Sequence, residues 1–126
     1  MNKLNLKIIF LSLILPIFVS AQGWEKTYDS GYSDEVKASD KTPDGGIIMA
    51  GVQKGNPNGI EYIFLNKIDA EGNLTWVHYD TTYSINTVLV HDVVSTSDDN
   101  YILSSSWSIT PFGSQHPSVQ KISPDG

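Results

Sequence analysis

The chain has 126 residues, no cysteine and a formal net charge of −6, and all eight of its basic residues are lysine. Six lysines (26, 37, 41, 54, 67 and 121) follow the N-terminal apolar run, scattered singly among fourteen acids, for a net charge of −8. Phosphate recognition rests on clustered Lys and Arg, so the composition disfavours nucleic acid and anionic membrane surfaces as partners, and no disulfide holds the fold.

Lys3 and Lys7 precede an apolar run over residues 8–19, and Val19-Ser20-Ala21 fits the small-residue cleavage rule. The expectation is a signal peptide over residues 1–21, a mature chain from Gln22, and a secreted or cell-surface location without membrane insertion after cleavage. The alternative, a membrane anchor, needs about 20 apolar residues and finds only 12. No Cys follows the run to carry a lipid.

Residues 24–28 open the mature chain with Trp24, Thr27 and Tyr28, strand formers in a run too short for a helix. A turn cluster at 29–34 leads to a strand at 35–42 with Val36, Ala38 and Asp40 on one side. Pro43-Asp44-Gly45-Gly46 is a turn, because Pro presets φ and the glycines accept positive φ. Residues 47–52 are then a nearly continuous apolar strand. Residues 53–60, with Gly55, Asn56, Pro57, Asn58 and Gly59, form an exposed loop tip. A strand at 61–68, a hairpin loop at 69–73 and a strand at 74–79 complete the unit.

The order then returns, with strands at 88–94, 101–107 and 118–122, at a constant offset of 54 residues. Thr42-Pro43-Asp44-Gly45-Gly46-Ile47-Ile48 comes back as Thr96-Ser97-Asp98-Asp99-Asn100-Tyr101-Ile102, Val36 as Val90, and Lys67-Ile68 as Lys121-Ile122. One offset shared by three segments marks a repeat protein. Repeat 1 covers about 29–80 and repeat 2 about 81–126, within a single domain over 22–126.

The fold class expected is all-β and β-propeller-like, with about two four-stranded antiparallel blades in an incomplete propeller. The second unit lacks its fourth strand, while Trp24-Glu25-Lys26-Thr27-Tyr28 matches Trp76-Val77-His78-Tyr79-Asp80, a fourth strand lacking its first three. A ring needs at least about four blades, so the chain is expected to be the start of a longer protein, with further repeats, or a fragment. The alternatives are a free-standing stack of two sheets and several copies closing one ring.

These residues resemble a repeat of secreted bacterial β-propeller proteins of the Bacteroidota type, whose pattern runs W-x-K-T-Y, T-x-D-G-G-Y-I-x-A-G and K-x-D-x-x-G-N-x-x-W. The first copy matches through Trp24 to Tyr28, Thr42 to Gly51 and Lys67 to Trp76. In the second, Asp99-Asn100 replaces Gly-Gly and Ser104-Ser105 replaces Ala-Gly. The resemblance implies an extracellular or cell-surface protein, often with a C-terminal sorting domain that is not in this sequence, and supplies no catalytic motif.

No catalytic, cofactor-binding or metal residue is assigned. His78, His91 and His116 lack ligand spacing. The acids Asp34-Glu35, Asp69 with Glu71, and Asp98-Asp99 read as turn formers, not as a calcium loop. Ser104, Ser105, Ser106 and Ser108 accompany no nucleophile elbow and no evident base, and a chain this short defines no glycosidase cleft. Trp24, Trp76 and Trp107 with Tyr28, Tyr62, Tyr79 and Tyr83 offer an aromatic ligand platform or, as the equivalence of Trp24 and Trp76 favours, packing. Asn73-Leu74-Thr75 and Asp80-Thr81-Thr82 are weak glycosylation signals.

The function expected is a non-enzymatic scaffold binding a protein or glycan through loops 53–60 and 109–118, without cofactors. The alternative is an accessory propeller region of a secreted polysaccharide-degrading enzyme whose catalytic domain lies elsewhere.

Overall fold

The structure, a computed structural model, describes residues 23–55, 57–85, 87–110 and 113–126, without the side chains of 82–85. The expected signal peptide lies outside these residues, as do Asn56, Pro111 and Phe112 of the two loops and the side chain of Tyr83. Among the described residues seven strands follow one another: β1 (Ser33–Lys41), β2 (Ile47–Lys54), β3 (Glu61–Ile68), β4 (Leu74–Ile85), β5 (Thr87–Ser95), β6 (Tyr101–Ser108) and β7 (His116–Ile122). They make two antiparallel sheets, ordered β1-β2-β3-β4 and β5-β6-β7. The chain is all-β as expected, and no helix among the described residues is long and apolar enough to cross a membrane.

Local detail repeats as faithfully as the strand order. In the β1–β2 turn, Gly45 N–H donates to Thr42 O at 2.9 Å and Thr42 N–H to Gly46 O at 3.0 Å. In the β5–β6 turn, Asp99 N–H donates to Thr96 O at 3.1 Å and Thr96 N–H to Asn100 O at 2.9 Å. The turn needs a left-handed residue, which is Gly45 at φ 84° in one copy and Asp99 at φ 60° in the other. Asp is among the few side chains that accept that region, so losing the glycine leaves the turn intact. Both β1 and β5 also carry a bulge at one repeat position, between Val36 and Ala38 and between Val90 and Asp92.

Two segments differ from the expected strands. Residues 24–28 form no ladder; they are docked by side chains, with Trp24 Nε1–H donating to Ala70 O at 3.0 Å and Tyr28 Oη–H to Gly72 O at 2.9 Å. Strand β4 runs on past Tyr79 to Ile85, across the expected repeat boundary. Thr81, Thr82, Tyr83 and Ile85 are strand formers, and Ile85 pairs with Glu61 beyond a register shift.

The two sheets pack face to face. Ile48, Ala50 and Val52 of β2 and Ile63 and Leu65 of β3 meet Val88, Val90 and Val93 of β5 and Tyr101 and Leu103 of β6. Trp76 of β4 meets Tyr101 edge to face at 5.8 Å. Polar groups close the seam at three points. Ser95 N–H donates to Asp40 Oδ2 at 2.7 Å, Val88 N–H to Glu61 Oε2 at 3.2 Å, and Gln120 Nε2 to Asp80 Oδ2 at 2.7 Å.

Candidate functional site

Each sheet has a turn end and a loop end, and the repeats agree at the first and diverge at the second. At the turn end, Lys67 Nζ meets Asp44 Oδ2 at 2.8 Å, and Lys121 Nζ meets Asp98 Oδ2 at 2.7 Å. Thr42 and Thr96 each donate a hydroxyl to that same aspartate. Hydrogen bonds from Lys67 and then Thr42 hold the Asp44 carboxyl down at about 2, and those from Lys121, Thr96 and Asn100 depress Asp98 as well. The Thr-x-Asp and Lys signatures are thus one structural device used twice. The acids Asp69, Asp98 and Asp44 serve turns: Asp69 accepts from Asn73 N–H at 2.7 Å and Glu71 N–H at 3.0 Å, which lowers its own pKa. Among the described residues, no three His, Asp or Glu side chains converge to hold a metal ion.

At the loop end, Gln53, Lys54 and Tyr62 of repeat 1 correspond in the sequence to Trp107, Ser108 and His116 of repeat 2. Packing rules do not fix these positions, since the residue types are unlike. In repeat 2, Trp107 stacks on His116 at 4.5 Å, with 28° between the ring planes. In repeat 1, Tyr32, Tyr62 and Tyr79 line an open cleft of about 310 Å³ with Ser30, Gln53 and Thr81.

The chain builds that cleft from the 29–34 turn. Gly31, at φ 83°, reverses the backbone, and its N–H donates to Asp29 Oδ1 at 2.8 Å. Asp34 accepts from Ser30 N–H at 3.1 Å and from Ser30 Oγ–H at 2.6 Å, which fixes the turn carrying Tyr32. Gln53, only 5% exposed, donates through Nε2 to Asp34 Oδ1 at 3.3 Å, with Tyr79 Oη 3.5 Å away. Tyr32 and Tyr79 remain 45% and 42% exposed. Two half-open aromatic rings beside a buried amide can take a ring that is apolar on its face and hydroxylated on its rim, which describes a sugar.

Of the aromatics singled out from the sequence, Tyr62 and Tyr79 come together here, whereas Trp24, Trp76 and Tyr28 dock on turns. Tyr32 and Gln53 escaped that reading. Tyr32 sits in a turn cluster read for its Gly, Ser and Asp, and only the pairing of Asp34 with Gln53 brings it to Tyr62 and Tyr79.

The structure also joins His91 to Ser106, with Nε2 2.9 Å from Oγ, a base and hydroxyl that sequence order hides. Ser106 is buried in the ladder and its hydroxyl donates to Gln115 Oε1 at 3.2 Å. A working nucleophile needs a base oriented by a third group, and no such acid–histidine bond accompanies His91 among the described hydrogen bonds. The contact ties the β5 bulge to β6. Compared with protein-family models, characterised proteins and solved structures, the chain matches none.

Proposed function

We propose that this chain is part of a secreted or cell-surface β-propeller scaffold, non-catalytic in itself, that binds a glycan at the loop end of its sheets. The observation that carries the ligand reading is the Tyr32, Tyr62 and Tyr79 cleft around Gln53. Aromatic side chains and a neutral amide suit an uncharged, hydroxylated ligand, and a surface rich in acids repels an anionic one. The propeller reading draws on the repeat itself: face-to-face sheets, bulges at equivalent positions, and a last strand, β4, that leads directly into the first strand of the next sheet. Further repeats would extend that stack.

A glycan array probed with the purified chain tests this reading. Binding to neutral oligosaccharides, lost in Tyr79→Ala and Tyr32→Ala and kept in the distant Asp98→Ala, is the expected result; binding unaffected by either tyrosine change would refute the site. The same cleft suits an accessory region of a polysaccharide-degrading enzyme, because such regions also hold sugar chains. A catalytic domain elsewhere in the same polypeptide would select that second reading.

A further inference from the structure

We infer that the turn-end cleft between the two sheets binds the guanidinium group of an arginine side chain on a partner polypeptide. The cleft lies in the seam between the sheets and uses neither outer face, so further repeats stacked on those faces leave it open. It stands apart from the sugar reading at the loop end.

The cleft, of about 350 Å³, forms where the β1–β2 turn of the first sheet meets the β5–β6 turn and the 123–126 turn of the second. The charged side chains that line it are Asp44, Lys67, Asp99 and Asp125. Lys67 is committed to Asp44, with Nζ 2.8 Å and 3.1 Å from the two carboxylate oxygens. Neither Asp99 nor Asp125 joins an ion pair among the described residues, so the cleft keeps two uncompensated carboxylates.

The observation that points to a ligand is Tyr101. It is 4% exposed and set edge to face on Trp76, yet its hydroxyl makes no hydrogen bond to a described residue and opens on the cleft. Burial and then the nearby Asp44 and Asp99 carboxylates raise the pKa of that hydroxyl, so it stands beside both acids. A buried phenol oxygen without a partner costs free energy that a facing donor would recover.

The arrangement selects the kind of cation. Acids converging on one point would take a metal ion, but among the described residues no three do so. Acids spread along a cleft fit a planar cation with five N–H donors, which also lies well against aromatic rings, whereas an ammonium is compact and more strongly hydrated. Trp76 and Tyr101 supply that aromatic wall, and Pro43 and Pro124 add apolar surface for the methylene stem. Trp76 is held in place by its N–H bond to Pro124 O at 2.9 Å, so the wall is formed before a ligand arrives.

The first copy supplies an internal comparison. Trp24 and Glu71 hold the places of Trp76 and Asp125, but Asp99 and Tyr101 correspond to Gly45 and Ile47. Asp99 takes the left-handed backbone, at φ 60°, that Gly45 takes in the other copy, so the turn itself does not call for a carboxylate there. The acid and the phenol are thus features of the seam and not of the repeat.

An NMR shift titration of the purified chain, at about 150 mM salt to screen diffuse attraction, tests the inference. The probe is an acetylated, amidated pentapeptide of glycines with a central arginine. Its shifts should centre on Trp76, Asp99 and Tyr101, and the same peptide with neutral citrulline in place of arginine should bind at least about tenfold more weakly. Asp99→Gly, which restores the residue of the other copy, and Tyr101→Phe, which keeps the ring, should each weaken arginine binding about three- to tenfold. Equal binding by the citrulline or a lysine peptide, wild-type affinity in both variants, or shifts scattered over other surface acids would overturn it. Free guanidinium ion binding as tightly as the peptide would overturn the assignment to a polypeptide. Neither variant touches Tyr32 or Tyr79, so sugar binding is read separately on the same proteins.

Discussion

Trp76 donates its indole N–H to Pro124 O at 2.9 Å and lies against Gly126, so a side chain of the first sheet closes the last turn of the second. Trp24 repeats the arrangement on Ala70 and Gly72. The offset between the two tryptophans is 52 residues, two short of the offset between their turns, yet donor, acceptor and ring contact are the same. Trp76 also meets Tyr101 in the core, whereas Trp24 is exposed on its outer side. Trp76→Ala should therefore cost about 2–4 kcal/mol and Trp24→Ala about 1 kcal/mol, measured by urea denaturation. Equal costs would mean that the two caps do not differ as their burial does.

The Lys–Asp pair at the turn end occurs twice in unlike surroundings. Lys67 is 6% exposed, while Lys121 is 56% exposed. Asp44→Ala leaves a buried ammonium whose one other partner among the described residues is Ile68 O at 3.2 Å, and should cost about 1–2 kcal/mol, a figure kept low because the carboxylate itself is exposed. Asp98→Ala should leave the melting temperature nearly unchanged. Thermal melts of the two variants give the comparison directly.

Acid should unfold the protein in a defined window. The Asp44 carboxyl is held at about 2 by Lys67 and Thr42, and Asp98 and Asp69 are also depressed by their hydrogen bonds. A carboxylate whose pKa is lowered on folding contributes stability above its unfolded value, near 3.8, and loses that contribution as pH falls through the folded one. Stability should decline between pH of about 4 and about 2, and less steeply in Asp44→Asn. A flat profile over that range would contradict the assignment.

Gly51 and Phe64 are cross-strand partners, and a Cβ on Gly51 would lie 2.6 Å from the Phe64 ring and 2.3 Å from Glu35 O. In the second repeat the same two places hold Ser105 and Ser118, again paired. Size has moved together at the two sites. Gly51→Ser alone should cost about 1–3 kcal/mol, and the same change in a Phe64→Ser background should cost less. A double-mutant cycle with no coupling would show that the backbone contact alone forbids a side chain at Gly51.

The fold was legible where one residue type has one reason to be present. The 54-residue offset located equivalent strands, and Thr42, Asp44 and Lys67 marked the turn end because turn geometry and a buried lysine restrict those places. The second turn was the hard case, since Asp99 reaches a conformation usually left to glycine. The tyrosine cleft was half legible: Tyr62 and Tyr79 stood out, but Tyr32 joins them only through Asp34 and Gln53, partners 19 residues apart in the chain. The His91 and Ser106 contact was hidden for the same reason, as strand register and a bulge bring them together across 15 residues.

The most direct measurement is a residue-by-residue map of ligand binding, by titrating the isotopically labelled chain with the best neutral oligosaccharide from the array and following amide and side-chain shifts by NMR. The account predicts changes centred on Tyr32, Gln53, Tyr62 and Tyr79, with the Thr42 and Thr96 turns unmoved. Changes centred on those turns, or none at saturating sugar, would contradict it.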